Sequence, residues 1–246
     1  MIRRVRESRI SPQMSRYVSA PSRCVLLFAR APHAEAVVKG LRGGEALFAL
    51  SQGRVRDAVA ALPGVELVLV PPAAQAGTNF GEKLEAAFRN AVRRGYEEIV
   101  AVPGDVPELT VRDLAAAFRA LSVSDTVLGP SRDGGVWLIG LRAGAVSLPD
   151  FFGRVPWRTP RVLAALLGNA PKAFLLGELL DVDCRADAMR LGDALRAAKR
   201  DARLLAALEA ILGRRRALSP REVLRRSPPP FTAPPPSRAP PPFLLT

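Results

Sequence analysis

Histidine occurs once in this 246-residue chain and cysteine twice. One imidazole, His33, and no Gly-x-Ser-x-Gly string leave a serine-hydrolase triad without its parts. Cys24 and Cys184 are too few and too far apart for a disulfide framework, and with His33 they lack the spacing of a zinc site. Cys24 opens an apolar run, where a thiol belongs to a core. Neither a Walker Gly-Lys-Ser/Thr nor Gly-x-Gly-x-x-Gly occurs, which argues against a P-loop and a Rossmann nucleotide site. No apolar run approaches the roughly 18 residues of a membrane span. The opening segment is basic but lacks the apolar stretch of a secretory signal, so a cytoplasmic protein is expected.

A formal net charge of +13 suggests a polyanion partner until the charge is located. Residues 1–23 hold six Arg against one Glu, and residues 196–246 hold eleven basic against three acidic side chains. Residues 24–195 carry 19 of each sign. The excess therefore sits in the two ends rather than on a face of the middle, so no specific nucleic acid is expected; ends that touch RNA or acidic lipid are the weaker reading. From Arg214 the chain turns to Arg, Ser and Pro, including SPPPF, APPPS and APPPF, a composition for extended polyproline-like chain. The expected division is a disordered basic leader over 1–23, one domain over 24–213 and a disordered tail over 214–246. At 48% hydrophobic residues the chain is long enough for one well-buried core.

Short apolar runs alternate with helical periods through that middle. Cys24–Phe28, Val65–Val70, Glu98–Val102, Thr126–Leu128, Val136–Leu141 and Lys172–Leu176 read as strands, the continuous runs as strands buried on both faces. In Glu82–Arg94 the apolar residues Leu84, Ala87, Phe88, Ala91 and Val92 recur at helical spacing, with Gly95 placed to end the helix. Thr110 and Asp113 form a capping box. Thr159-Pro160 reads as an N-cap with proline at N1, for a helix that stops near Gly168. Asp201–Gly213 is a late amphipathic helix that covers the domain or mediates dimerisation. Strand and helix in alternation mean a three-layer α/β domain with a mainly parallel sheet.

Ligands of such sheets bind beyond the carboxyl ends of the strands. The residues that follow the strands are Ala29-Arg30-Ala31-Pro32-His33, Gly104-Asp105-Val106-Pro107, Ser131-Arg132-Asp133-Gly134-Gly135 and, later, Asp181-Val182-Asp183. An Arg, several Asp and flexible glycines at one edge suit a divalent cation and a diphosphate. Mg²⁺ is held by one or two carboxylates plus substrate phosphates, and Asp105 and Asp183 suit that role. Each motif has a plainer reading. Gly104-Asp105 can be a strand-to-helix turn, Asp133-Gly134 a hairpin turn, and Asp181 or Asp183 the cap of a helix through Ala186–Leu195. His33 is one exposed loop histidine.

The strings CVLLFARAP, QAGTNFGEKLEAAF, PGDVPELT, VLGPSRDGGVWLIGL, FFGRVPWRTPRVL and LLDVDCRADAMRL, in this order, resemble a bacterial family of unknown function with a GT-A-like, nucleotide-diphospho-sugar transferase fold. Its members are often labelled glycosyltransferases or selenium/radical-SAM-associated transferases. The resemblance covers about residues 24–195. It implies a transferase that uses Mg²⁺ or Mn²⁺ and a nucleotide-activated donor, with an unknown acceptor, glycosyl transfer being favoured over nucleotidyl transfer. It further implies Asp105 and Asp133 as catalytic residues and Asp105 and Asp183 as metal ligands. Ala29, Arg30, Pro32, Lys39, Gly104, Asp105 and Gly134 would face the nucleotide. The family's first loop runs Pro-x-Pro-Gly-x-Val-Lys-Thr-Arg-Leu; here Pro32–Leu41 lacks the Pro-Gly and the Thr-Arg pair, and Lys39 is displaced by one position. Asn79 stands where an acidic residue is usual. These departures support the alternative expectation of a degenerate member that binds nucleotide or a protein partner without catalysis.

Overall fold

The computed structural model describes residues 22–146, 151–199 and 201–213. The expected tail from 214, and the expected leader apart from Ser22 and Arg23, lie outside the described residues. Six strands form one sheet: β1 (Arg23–Phe28), β2 (Val65–Val70), β3 (Glu98–Pro103), β4 (Thr126–Pro130), β5 (Val136–Arg142) and β6 (Phe174–Leu175). Their order is β2-β1-β3-β5-β4-β6. β5 runs antiparallel to β3 and β4, while β1 pairs in parallel with β2 and β3, and β4 with β6. This is the mainly parallel α/β class that the alternating apolar runs require. Arg23, assigned to the leader by its charge, is the first residue of β1 and donates to Glu98 at 2.8 Å.

The helices are α1 (Pro32–Val38), α2 (Glu45–Ala60), α3 (Phe80–Arg93), α4 (Val111–Leu121), α5 (Ala143–Val146), α6 (Val162–Asn169), α7 (Arg185–Ala197) and α8 (Ala202–Leu212). On one face of the sheet, Leu84 and Phe88 of α3 and Val162 and Leu166 of α6 pack with Leu26, Ile99 and Ile139. On the other, Val55 and Val59 of α2 and Leu114 and Phe118 of α4 pack with Val25, Leu27 and Val100. A third cluster joins Ala36 of α1, Leu47 and Phe48 of α2, and the apolar faces of α7 and α8. The late helix thus covers its own domain, capped by Asp201, whose side chain accepts from Leu204 N at 3.0 Å. Gly95 follows α3 with φ +92, and Thr110 and Asp113 close the expected capping box.

Three local readings change. Residues 32–38 are helix rather than loop, and α2 has no counterpart in the sequence analysis; its apolar residues divide between two cores, so no single stripe stands out. α6 begins at Val162, because the Thr159 hydroxyl donates to Pro156 O at 2.7 Å and accepts from Arg161 N at 3.3 Å, closing a turn instead of capping the helix. Neither Asp181 nor Asp183 caps α7. Cys184 is its N-cap, and Asp187 accepts from Cys184 N at 2.9 Å and Asp183 N at 3.1 Å.

Candidate functional site

Parallel register aligns the ends of β1 and β3, with Phe28 opposite Pro103. The connection from β1 leads to β2 on one side and the next returns to β3 on the other, so a crevice opens between Ala29-Arg30 and Gly104-Asp105, where α/β sheets take ligands. Gly104 is required by packing: a Cβ there would stand 2.8 Å from the Ala29 Cβ and 3.1 Å from the Gln52 side chain. Gln52, buried in α2, donates to Arg30 O at 2.8 Å and fixes the chain after β1. Sequence reasoning missed it because a polar residue inside a helix gives no signal of its own.

The other wall comes from the second half of the chain. The β4–β5 turn carries Asp133, which accepts from Gly135 N at 2.8 Å. Gly134 has φ +87, and a Cβ there would collide with the Pro160 carbonyl; Leu163 N donates to Gly134 O at 3.0 Å. The segment before α6 is thereby tied to the Asp133 turn. The hairpin reading of Asp133-Gly134 and its place at the cleft hold together. The strand-like stretch 179–183 runs past both walls, with Leu179 N donating to Pro130 O at 3.2 Å and Val182 N to Asp105 O at 3.0 Å.

The centre of the site is Lys39, just past α1. Its ammonium is bonded to Asp105, to Asp183 at 2.6 Å and to Val182 O at 3.0 Å, with Glu35 at 3.8 Å and the Phe48 ring centroid at 5.5 Å. Burial works against its charge, but Asp105 and then Asp183 outweigh that and hold the ammonium above the ordinary lysine range. Asp105 and Asp183 are therefore linked through a cation supplied by the chain. Burial raises the Asp105 carboxyl although Lys39 opposes it, and Asp105 Oδ1 is buried without a hydrogen-bond partner. Asp183 also groups with Asp133 and Asp181; one oxygen of each lies within 4.8 Å of the others. The Asp181 carboxyl is pushed up to about 7, by burial first and then by Asp105, Asp133 and Asp183.

Around these groups lie two adjoining cavities, of about 600 and 730 Å³, that share Arg30, Lys39, Asp105, Trp157, Arg158 and Asp183. The smaller adds Asp133, Asp181 and an apolar wall that includes Leu84, Ile139 and Val162. The larger adds Ala29, Gly104, Gln75, Thr78, Asn79 and Lys83. Of the residues expected at the site, Ala29, Arg30, Lys39, Gly104, Asp105, Asp133 and Asp183 come together, whereas Pro32 starts α1 and Gly134 faces Pro160, neither lining the cleft. Asp181, which reads from sequence as a helix cap, lines the smaller cavity beside Asp183. His33 lies on α1, exposed, 3.6 Å from Glu45 and outside both cavities. Cys24 is in the core, its thiol pushed up to about 12 by burial. No helix among the described residues is long and apolar enough to cross a membrane.

Comparison with known proteins agrees with the α/β fold. Residues 70–159 match the model of DUF2064, described as an uncharacterized protein conserved in bacteria. A 3-phospho-D-glycerate guanylyltransferase of Phenylobacterium zucineum is 38% identical over 96 residues, which are 39% of this chain and 43% of that protein. The match thus spans less than half of the relative's length. The crystal structure of a protein assigned to the nucleotide-diphospho-sugar transferases, from Desulfovibrio desulfuricans, superposes with a TM-score of 0.65 and 22% identity over 78% of this chain and 98% of its own. That likeness gives the fold. Residues 70–159, which carry Asp105, the Asp133 turn and Arg158, thus resemble the bacterial DUF2064 proteins.

Proposed function

We propose that the protein is a metal-dependent transferase that moves the nucleotidyl group of a nucleoside triphosphate to a small acceptor. The observation that carries this reading is the convergence of Lys39 and four aspartates, 105, 133, 181 and 183, at the carboxyl edge of the sheet. The guanylyltransferase relative favours nucleotidyl over glycosyl transfer, and this reverses the preference drawn from the sequence. In the reaction an acceptor oxygen attacks the α-phosphorus, the bond to the bridging oxygen of the β-phosphate breaks, and pyrophosphate leaves with both electrons of that bond.

The polar cavity beside Ala29, Arg30 and Gly104 suits the donor, and the cavity beside Asp133 suits the acceptor. Asp133, Asp181 and Asp183 fit a divalent cation, Mg²⁺ or Mn²⁺: one oxygen of each carboxylate lies within 4.8 Å of the others, a concentration of negative charge that a cation would balance. A cation there would neutralise phosphate charge that builds as the leaving group departs. Asp105 keeps Lys39 in the cleft, and Lys39 and Arg30 place positive charge against the phosphates, so that positioning and electrostatics supply most of the rate enhancement.

The test is calorimetric titration of ATP, GTP, CTP and UTP with Mn²⁺ into wild type and Asp181→Asn, followed by a pyrophosphate-release assay with phosphorylated acceptors. We expect one triphosphate to bind wild type and to bind Asp181→Asn at least tenfold more weakly. If no triphosphate binds wild type, the reading fails. Binding without pyrophosphate release would support the degenerate, non-catalytic alternative.

A further inference from the structure

Arg158 is held in a conformation that a side chain of its kind rarely adopts. Its φ is +65, in the left-handed region that costs a non-glycine residue free energy and persists only where the surroundings enforce it. They do so here. Trp157 N donates to Val155 O at 2.9 Å and the Trp157 indole donates to Phe152 O at 3.2 Å. On the far side the Thr159 turn locks the chain. Gly81 leaves the room the indole needs, since a Cβ there would stand 2.6 Å from its nitrogen.

Glycine at this position would relieve the strain, and nothing in the fold asks for arginine. The side chain is exposed and makes no hydrogen bond or ion pair among the described residues. Yet it lines both cavities at their junction. The other cations shared by the two cavities have partners: Arg30 is 3.2 Å from Glu35, and Lys39 is bonded to Asp105 and Asp183. A guanidinium free of the protein, facing a cavity and kept at a conformational cost, is placed for a ligand. Its planar fork suits a phosphate or a carboxylate.

Which substrate brings that anion follows from the wall on which Arg158 sits. Arg30 and Lys39 approach from the β1 side. Arg158 belongs to the segment tied to the Asp133 turn through Gly134 and Leu163. We propose that Arg158 forms an anion subsite for the acceptor, receiving a phosphate or carboxylate of that substrate and selecting against neutral acceptors. The word acceptor rests on the function proposed above; the anion subsite itself does not.

The experiment titrates glycerol phosphate, inorganic phosphate and, separately, the triphosphate with Mn²⁺ into the full chain, comparing wild type with Arg158→Gly, Arg158→Gln and Arg158→Lys. We expect glycerol phosphate to bind wild type and to lose at least tenfold in affinity in the Gly and Gln variants. Lys should retain affinity within about threefold, and triphosphate affinity should change less than twofold in all. Arg158→Gly should melt at or above the wild-type temperature. Glycerol phosphate that fails to bind wild type, or binds Arg158→Gln equally well, overturns the proposal. An equal loss for the triphosphate would assign Arg158 to the donor and overturn it as stated. Arg158-dependent binding of glycerol phosphate in a protein that binds no triphosphate would leave the subsite standing while the transferase reading fell.

Discussion

Replacing Lys39 by methionine keeps most of the stem volume and removes the charge that Asp105 faces. Asp183 is 58% exposed along its side chain and can turn to water, so its share of the loss is small. Asp105 cannot, with a side chain 16% exposed and one oxygen already buried without a partner. Left ionised and unpaired, such a group costs about 3–5 kcal/mol. The folded protein can instead take up a proton. From the ordinary value of 3.8 to pH 7 is about 3.2 pH units, which at about 1.36 kcal/mol each caps the cost near 4.4 kcal/mol. Wild type already bears part of that cost, since burial holds its Asp105 carboxyl above the ordinary value, so the loss expected at pH 7 is about 1–4 kcal/mol, and the same cap at pH 5 falls to about 1.6 kcal/mol. The sign follows from proton uptake: in the variant the folded state binds more protons than the unfolded chain, so its stability declines as pH rises. Urea denaturation followed by tryptophan fluorescence in chelator, at pH 5 and pH 7, measures both values. A deficit below about 1 kcal/mol at pH 7, or one equal at the two pH values, would refute the assignment of Lys39 as the counter-charge of Asp105.

Other predictions concern neighbouring groups. The Asp181 carboxyl, raised to about 7, stabilises the fold below its ordinary range and loses that contribution as pH climbs through 7. Asp181→Asn should therefore flatten the melting temperature between pH 5 and pH 8 in chelator, and an unchanged slope would remove Asp181 as the cause. At pH 6.5, Mn²⁺ binding to wild type should release protons, detected as a dependence of the calorimetric heat on buffer ionisation enthalpy, and Asp181→Asn should abolish that dependence. Gly134→Ala meets both a φ of +87 and the Pro160 carbonyl, and should cost about 2–4 kcal/mol by urea denaturation. Gln52→Ala removes the donor to Arg30 O and should cost about 1–2 kcal/mol, with weaker triphosphate binding in the same preparation.

The strands were legible because sheet positions leave a simple trace, a short run of Val, Leu and Ile, and all six end within two residues of the runs read from sequence; burial on both faces holds for the inner strands, whereas the edge strand β2 leaves Leu69 exposed. The edge strand β6 is reduced to Phe174–Leu175, which pair in parallel with Val127 and Leu128 of β4. Helices with a single buried stripe, such as α3, were equally plain. α2 was not, because it packs toward two cores and carries buried Ser51 and Gln52. At the site, sequence order could show that polar residues follow the strands but not which of them touch. The ion pair between Lys39 and Asp105 spans 66 residues and depends on how α1 ends. Nor could spacing show that Asp181 joins Asp133, or that Arg158 takes a left-handed turn, because both result from the path of a chain already folded against the Asp133 hairpin.

The reversed strand bears on how this molecule is built in time. β4 and β5 are joined by a short turn, so their pairing closes a small loop and belongs to events that take microseconds. β1 meets β3 only across 75 residues of chain, a contact whose closure entropy must be met before it is rewarded. The hairpin that carries Asp133 can thus form from local sequence alone, while the crevice between Arg30 and Asp105 exists only once the long-range pairing is complete. A refolding chain would form the Asp133 hairpin first, and amide exchange in the native protein should find β1 and β3, which lie inside the sheet, among the last elements to open.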